Sequence, residues 1–249
     1  MKKSQKLAKW AKLIQFVGLW NALVTAVLKT LRIEKVMRVT LLGHPIFIRS
    51  ATPDLKVAIS SLAEREYAGI ECEAPEVIID AGANIGTSAI YFALQYPEAK
   101  IFAIEPERGN FDMLVKNSSR FKNIVPICAA LWGTHERRTV QSRNTGHWGY
   151  TVAETANQTE STGQEIECIT LNELMEQHGI EEISLLKMDI EGGEKAVLET
   201  SSSWMNRVKI LTIELHDRIC PGCTDAFKAA TKDFARFDRH GEKFTAYRH

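Results

Sequence analysis

Val77-Ile78-Ile79-Asp80-Ala81-Gly82-Ala83-Asn84-Ile85-Gly86 is the stretch from which the fold can be read. Three β-branched residues in a row make a short apolar run of the kind a buried strand uses. Asp80 closes it. Gly82, Ala83 and Asn84 then make a tight turn, and a helical run follows from Thr87 to Tyr96. Strand, small-residue turn and helix form the opening unit of an open α/β sheet, where ligands bind beyond the carboxyl ends of the strands.

The flanking sequence repeats the alternation. Apolar strand-like runs at 101–104, 124–128, 183–188 and 208–215 exchange with helical runs at 109–120, 171–178 and near 194–201. Such an order implies a mostly parallel, doubly wound sheet with helices on both faces. Each strand end can then be read as a possible ligand contact.

At the first strand end, small residues let a ligand approach the backbone closely. Amides at the helix start suit a carboxylate, and Asp80 suits an ammonium group. A ligand with both groups is an amino acid, and the methionine moiety of S-adenosylmethionine fits. The second strand ends at Glu105-Pro106, where a carboxylate can accept from two ribose hydroxyls. A dinucleotide site wants G-x-G-x-x-G. Here Asn84 stands at the middle place and Thr87 at the third. A ligand without a pyrophosphate needs neither glycine.

The later strand ends carry acid–base groups. Lys187-Met188-Asp189-Ile190-Glu191-Gly192-Gly193-Glu194 closes one of them. Asp189 and Glu191 there suit proton acceptance, substrate orientation or a divalent metal, with capping of the next helix as the plainer role. Glu214-Leu215-His216 closes the next, with Glu214 and His216 on one face by period-two alternation. His216 reads as a general base or a metal ligand. Ala129-Ala130-Leu131-Trp132 reads as the end of the third strand, with Ala130 small enough to admit an adenine ring. Residues 139–165 read as a polar, irregular loop, and His147-Trp148 within it as an acceptor contact.

Three segments organise the chain: a basic amphipathic helix over 1–35, a lead-in hairpin and helix over 36–75, and the α/β domain over 76–249. Lys2, Lys3, Lys6, Lys9 and Lys12 precede an apolar run over 13–28. One helix is expected there, packed on protein, self-associating or lying on a membrane surface, but too short to span one. The hairpin is expected at 36–42 and 45–48, turning at Gly43-His44. A helix should start at Pro53-Asp54 and run to Tyr67.

Lys plus Arg and Asp plus Glu both number 31, so no net positive charge favours nucleic acid, and none is expected as a partner. The five cysteines are odd in number and sparse, which suits a reducing, cytoplasmic compartment with some membrane association through the first helix. Cys220-Pro-Gly-Cys223 has metal-ligand spacing without a second pair and reads as a turn.

Taken in order, several motifs resemble the FkbM family of S-adenosylmethionine-dependent methyltransferases. They are Tyr67 after the leading helix, Ile79 to Gly86, Glu105-Pro106, Ala130-Leu131-Trp132 and Leu186-Lys187-Met188-Asp189-Ile190-Glu191-Gly192. The resemblance runs from Ser50 to His216. It implies a Rossmann-like methyltransferase fold and O-methylation of a hydroxyl on a sugar, glycan or other small molecule. By motif, Asp80, Gly82, Asn84, Gly86 and Glu105 would line the cofactor site, with Asp189 and Glu191 near the transferred methyl. Such folds finish with a strand pair. This sequence shows a helical stretch at 225–237 and then only 243–247, so a missing, shortened or replaced closing strand is expected. Two other classes remain open at this level: an NAD(P)-dependent Rossmann oxidoreductase, and a non-catalytic cofactor-binding module recruited by its N-terminal helix.

Overall fold

A computed structural model of the chain describes residues 2–143, 149–153 and 160–248, apart from the side chains of 2–9. The chain divides into two compact units, with the division between Tyr67 and Ala68.

The first unit begins with two helices, α1 (Lys2–Val17) and α2 (Leu19–Thr30). The expected single helix is broken at Gly18, whose φ of 79° and ψ of 157° leave the helical region at a residue with no Cβ to oppose it. The two axes bend by 120° at this break. Among the described residues no single helix is long and apolar enough to cross a membrane. Strands β1 (Val36–Leu41) and β2 (His44–Arg49) pair antiparallel. They turn through Leu42 and Gly43, both at positive φ, one residue before the expected turn. Helix α3 (Asp54–Ala58) continues as one π turn, Ile59–Ala63, and so ends short of Tyr67. A buried pair, Arg49 to Asp54 at 2.8 and 3.0 Å, fixes the junction of β2 and α3.

The second unit starts with β3 (Val77–Ala81), α4 (Thr87–Gln95), β4 (Lys100–Ile104), α5 (Arg108–Ser118) and β5 (Ile124–Ile127). Then come β6 (Ala130–Leu131), β7 (Glu136–Ser142), β8 (Tyr150–Thr151) and β9 (Glu160–Ile169). Helix α6 (Leu171–His178), β10 (Ile183–Met188), α7 (Glu194–Glu199) and β11 (Val208–Glu214) follow. Helix α8 (Cys223–Ala230) and strands β12 (Arg236–His240) and β13 (Lys243–Tyr247) finish the chain.

Seven strands form the main sheet in the order β12-β13-β11-β10-β3-β4-β5. All pairs from β11 to β5 are parallel, and β13 lies antiparallel to both β11 and β12. The sheet is α/β, mostly parallel and Rossmann-like, with β3 and β10 at its centre. Strand β10 is buried at every position, and Ile79, Phe102, Leu186 and Leu211 anchor the main core cluster.

Three expectations need correction. The closing strand pair is present. Strand β12 reads Arg-Phe-Asp-Arg-His and is largely exposed, so its charged pattern hid an edge strand that starts at the end of the supposed helix. Where the region 139–165 is described, most of it is strand rather than irregular loop, with 144–148 and 154–159 outside the described residues. Strands β6, β9, β7 and β8 build a separate four-stranded sheet. Its β9 is polar over its first six residues and buries only Ile166, Cys168 and Ile169 at its end, which gives little apolar signal. Finally, Ala130 does not end the third strand. The chain leaves the main sheet after Ile127, and Ala130 pairs with Cys168 in the smaller sheet.

Candidate functional site

The turn after β3 is held by shape and by its own hydrogen bonds. Gly82 (φ 76°), Asn84 (φ 51°) and Gly86 (φ 88°) all take left-handed backbone conformations. A Cβ on Gly82 would stand 1.8 Å from the Asp189 carbonyl oxygen, and one on Gly86 would stand 2.6 Å from Leu114 Cδ1. The amides of Gly82 and Ala83 donate to Ile104 O at 3.0 and 2.9 Å. Asn84 N donates to Glu105 Oε2 at 2.9 Å, Ile85 N to Asn84 Oδ1 at 2.7 Å and Gly86 N to Ala83 O at 2.8 Å. The amides of residues 82–86 are therefore used inside the chain, and these residues present a close, small surface.

Asp80 is fully buried, and its carboxylate faces the chain. Lys187 Nζ lies 2.9 Å from its Oδ1, and Ser88 Oγ donates to its Oδ2 at 2.5 Å. The two residues are register partners on β3 and β10. Lys187 also donates to the carbonyls of Ala81 at 3.2 Å and Gly82 at 2.8 Å. Burial works against its charge, but Asp80 and Asp189 outweigh that and raise its pKa. The expected ammonium-binding face of Asp80 is thus occupied by a lysine that pins the turn. Sequence reading passed over Lys187, although a lysine inside an otherwise apolar buried strand is a signal in itself.

Glu105 sits at the end of β4 with 4% exposure. It accepts from Asn84 N, from Glu107 N at 2.9 Å and from Asn110 Nδ2 at 3.4 Å. Burial lifts its pKa to about 7, against the pull of those donors. Glu105 joins the Gly82 turn to the start of α5, where Glu107 caps the helix by accepting from Gly109 N and Asn110 N.

Beside the turn, β10 and β11 bring Asp189, Glu191, Glu214 and His216 together. Glu191 takes a left-handed φ of 51° and pairs with Arg143 at the end of β7. His216 is fully buried. Its Nδ1 lies 2.7 Å from Glu194 Oε1, and its Nε2 lies 3.3 Å from Glu214, 3.8 Å from Glu191 and 3.9 Å from Asp189. Burial opposes its charge, yet Glu194 and Glu214 overcome that and raise its pKa to about 10. The contact with His216, reinforced by Lys243, holds Glu214 at about 2. Burial pushes Asp189 up, and pushes Glu191 up to about 7.

No side chain caps α7, so Asp189 and Glu191 do not take that role. Glu194, which the sequence reading did not single out, shapes the loop instead. It is fully buried, accepts from Ile190 N at 3.2 Å and Gly192 N at 3.0 Å, and faces the Cys223 thiol at 3.8 Å. The same thiol donates to Cys220 O at 3.1 Å, which places Cys220 and Cys223 on the turn into α8. Ala130 packs in a small core with Val140, Val152, Ile166 and Cys168. Trp132 lies under the Arg138 guanidinium, 4.3 Å from the ring centroid. His147 and Trp148 lie outside the described residues.

The sheet order, the small-residue turn and the acidic end of β4 define a domain of the Rossmann-like α/β class. The model of the FkbM methyltransferase domain matches residues 80–238, well over half of the chain. The chain belongs to that family. It is similar to the hexuronic acid methyltransferase AglP of Haloferax volcanii, at 29% identity over 157 residues, covering 61% of this chain and 60% of that protein. It is also similar to the 31-O-demethyl-FK506 methyltransferase FkbM of Streptomyces tacrolimicus, at 27% identity over 179 residues, covering 60% and 68%. The crystal structure of an FkbM methyltransferase from Methylobacillus flagellatus KT shares the fold, with a TM-score of 0.52 and 14% identity over 73% of this chain and 45% of that one. The alignments thus span about three fifths of the first relative and under half of the crystallised chain.

Proposed function

We propose that this chain binds S-adenosylmethionine at the Gly82 turn and Glu105, and transfers its methyl group to a hydroxyl on a sugar, glycan or other small molecule. One observation carries the reading: the Gly82 turn touches the backbone of Asp189. A methyl donor seated on the turn is thereby adjacent to the carboxylate cluster.

The acceptor oxygen would attack the sulfonium methyl in line, forming the new C–O bond as the C–S bond breaks. Alignment supplies most of the rate for such a displacement, and a base takes the hydroxyl proton. Asp189 is the group we assign to that proton, because its side chain is 27% exposed and so reachable. His216 has no exposed surface, so its part runs through the carboxylates around it. Glu105 would receive the ribose hydroxyls. The two relatives, named for a hexuronic acid and for 31-O-demethyl-FK506, support a hydroxylated small molecule as acceptor.

The test has two arms. Thermal unfolding of the protein should shift upward with S-adenosylhomocysteine and not with NAD(H). Incubation with isotopically labelled S-adenosylmethionine and a panel of uronic acids, glycans and polyhydroxylated small molecules should then place label on an acceptor oxygen, read by mass spectrometry. Stabilisation by NAD(H) alone would sink the reading.

A further inference from the structure

His216 Nε2 is buried and has no hydrogen-bond partner among the described residues. A buried ring nitrogen without a partner is costly and calls for an occupant. This one points into a group of carboxylates. Oxygens of Glu214, Glu191 and Asp189 lie 3.3, 3.8 and 3.9 Å away. The ligand atoms of Asp189, Glu214 and His216 all lie within 4.8 Å of one another.

The geometry points to a divalent cation held by Asp189, Glu214 and His216 Nε2. Metal–oxygen and metal–nitrogen bonds of roughly 2.0–2.2 Å put neighbouring ligands about 3–4 Å apart, and His216 Nε2 stands 3.3 Å from Glu214 and 3.9 Å from Asp189. Two carboxylates and one imidazole suit Mg²⁺ or Mn²⁺ better than a soft metal. The outer shell is also in place. A ligating histidine normally hands its other nitrogen to a carboxylate. Here Nδ1 faces Glu194 at 2.7 Å, so Nε2 is the nitrogen turned toward the cluster, where its proton would give way to the cation. Glu191, tied to Arg143, borders the group without needing to ligate.

The site also has an open side. His216 forms its enclosed floor, while Asp189 and Glu214 are partly exposed. A cation there keeps positions for water or for an acceptor oxygen, whose proton it would make easier to lose. That role rests on the methyl-transfer reading. The site itself rests only on the cluster.

The protein, stripped with EDTA and freed of chelator, is titrated with Mn²⁺ while free ion is followed by electron paramagnetic resonance. One Mn²⁺ per chain is expected, with nitrogen coupling from the histidine in the pulsed spectrum. Asp189→Asn and Glu214→Gln should each weaken binding roughly ten-fold or more. S-adenosylhomocysteine binding, measured separately by thermal shift, reports on the cofactor site. Folded wild-type protein that takes up no Mn²⁺ overturns the site, as does uptake without nitrogen coupling. Mn²⁺ binding with no response to S-adenosylhomocysteine would uphold it and sink the methyl-transfer reading alone.

Discussion

Gly82 and Asp189 meet through backbone alone: a Cβ built on the glycine falls 1.8 Å from the aspartate's carbonyl oxygen. The Gly82 turn and the carboxylate cluster are therefore one mechanical unit, joined where β3 and β10 end. Gly82→Ala should lose about 4 kcal/mol or more, because neither partner in the clash is a flexible side-chain tip. Gly163→Ala is the comparison. Gly163 has a similar φ of 72° but nothing within 4 Å of its missing Cβ. Its replacement should cost only the left-handed penalty, about 1–2 kcal/mol. Urea unfolding of the two variants separates clash from conformation. Equal losses would show that the close approach carries no weight.

The Asp80–Lys187 pair gives a second prediction. Both groups are buried, so removing one partner strands the other charge. Lys187→Met should cost roughly 3–5 kcal/mol. It should also loosen the turn, since Lys187 holds the carbonyls of Ala81 and Gly82. The double variant Asp80→Asn with Lys187→Met should lose clearly less than the sum of the single losses. Additive losses in urea unfolding would mean that the pair is not coupled.

The sheet's parallel core was legible because Val77-Ile78-Ile79 and the runs at 183–188 and 208–215 are apolar and bounded by turn residues. What stayed hidden was whatever lacked that signal. Strand β12 is charged and lies at an edge, and β9 buries only Ile166, Cys168 and Ile169 of its ten residues. At the site, the residues placed at strand ends by pattern did converge: Asp189, Glu191 and His216 stand together beside Gly82. Residues acting through tertiary pairing escaped. Lys187 reads as part of a strand until Asp80 is seen beside it. Glu194 reads as an ordinary helix start until the Ile190 and Gly192 amides and the His216 ring are seen around it.

Glu105 sets a pH dependence. Its pKa rises from 4.5 to about 7 on folding, so the folded chain holds a proton that the unfolded chain releases. Stability from this group is complete below about pH 4.5 and is lost as pH climbs through 7, on the order of 3 kcal/mol in full. Glu107 and the Cys128 thiol, with Arg108 behind it, are the charged or titratable groups facing Glu105. Ligand-free wild type minus Glu105→Gln, compared by urea unfolding at pH 5 and pH 8, should isolate that loss. Cofactor affinity should run the other way. Ribose hydroxyls donate to the carboxylate form, so affinity for S-adenosylhomocysteine should fall on acidification below pH 7, and calorimetry of Glu105→Gln should show a flat profile. A wild-type profile that is equally flat would remove Glu105 from the ribose contact.

The last prediction concerns α2. Leu19, Trp20, Leu23 and Val27 are 58%, 77%, 45% and 56% exposed, and they lie along one helical face. Exposed apolar side chains are ordinary singly but costly in such a row, at roughly 25 cal/mol for each Å² left in water. Lys2, Lys3, Lys6, Lys9 and Lys12 precede the face in sequence. Basic residues beside an amphipathic apolar face suit an anionic bilayer surface, with the tryptophan at the headgroup level. The protein is therefore expected to co-sediment with vesicles containing phosphatidylserine, and less so as salt rises. Trp20→Glu with Leu23→Glu should release it while leaving the thermal response to S-adenosylhomocysteine unchanged, since both side chains are exposed. A variant that stays with the vesicles would refute the contact. Wild type that ignores vesicles yet loses a concentration-dependent dimer in the variant would assign the same face to a second copy of the chain.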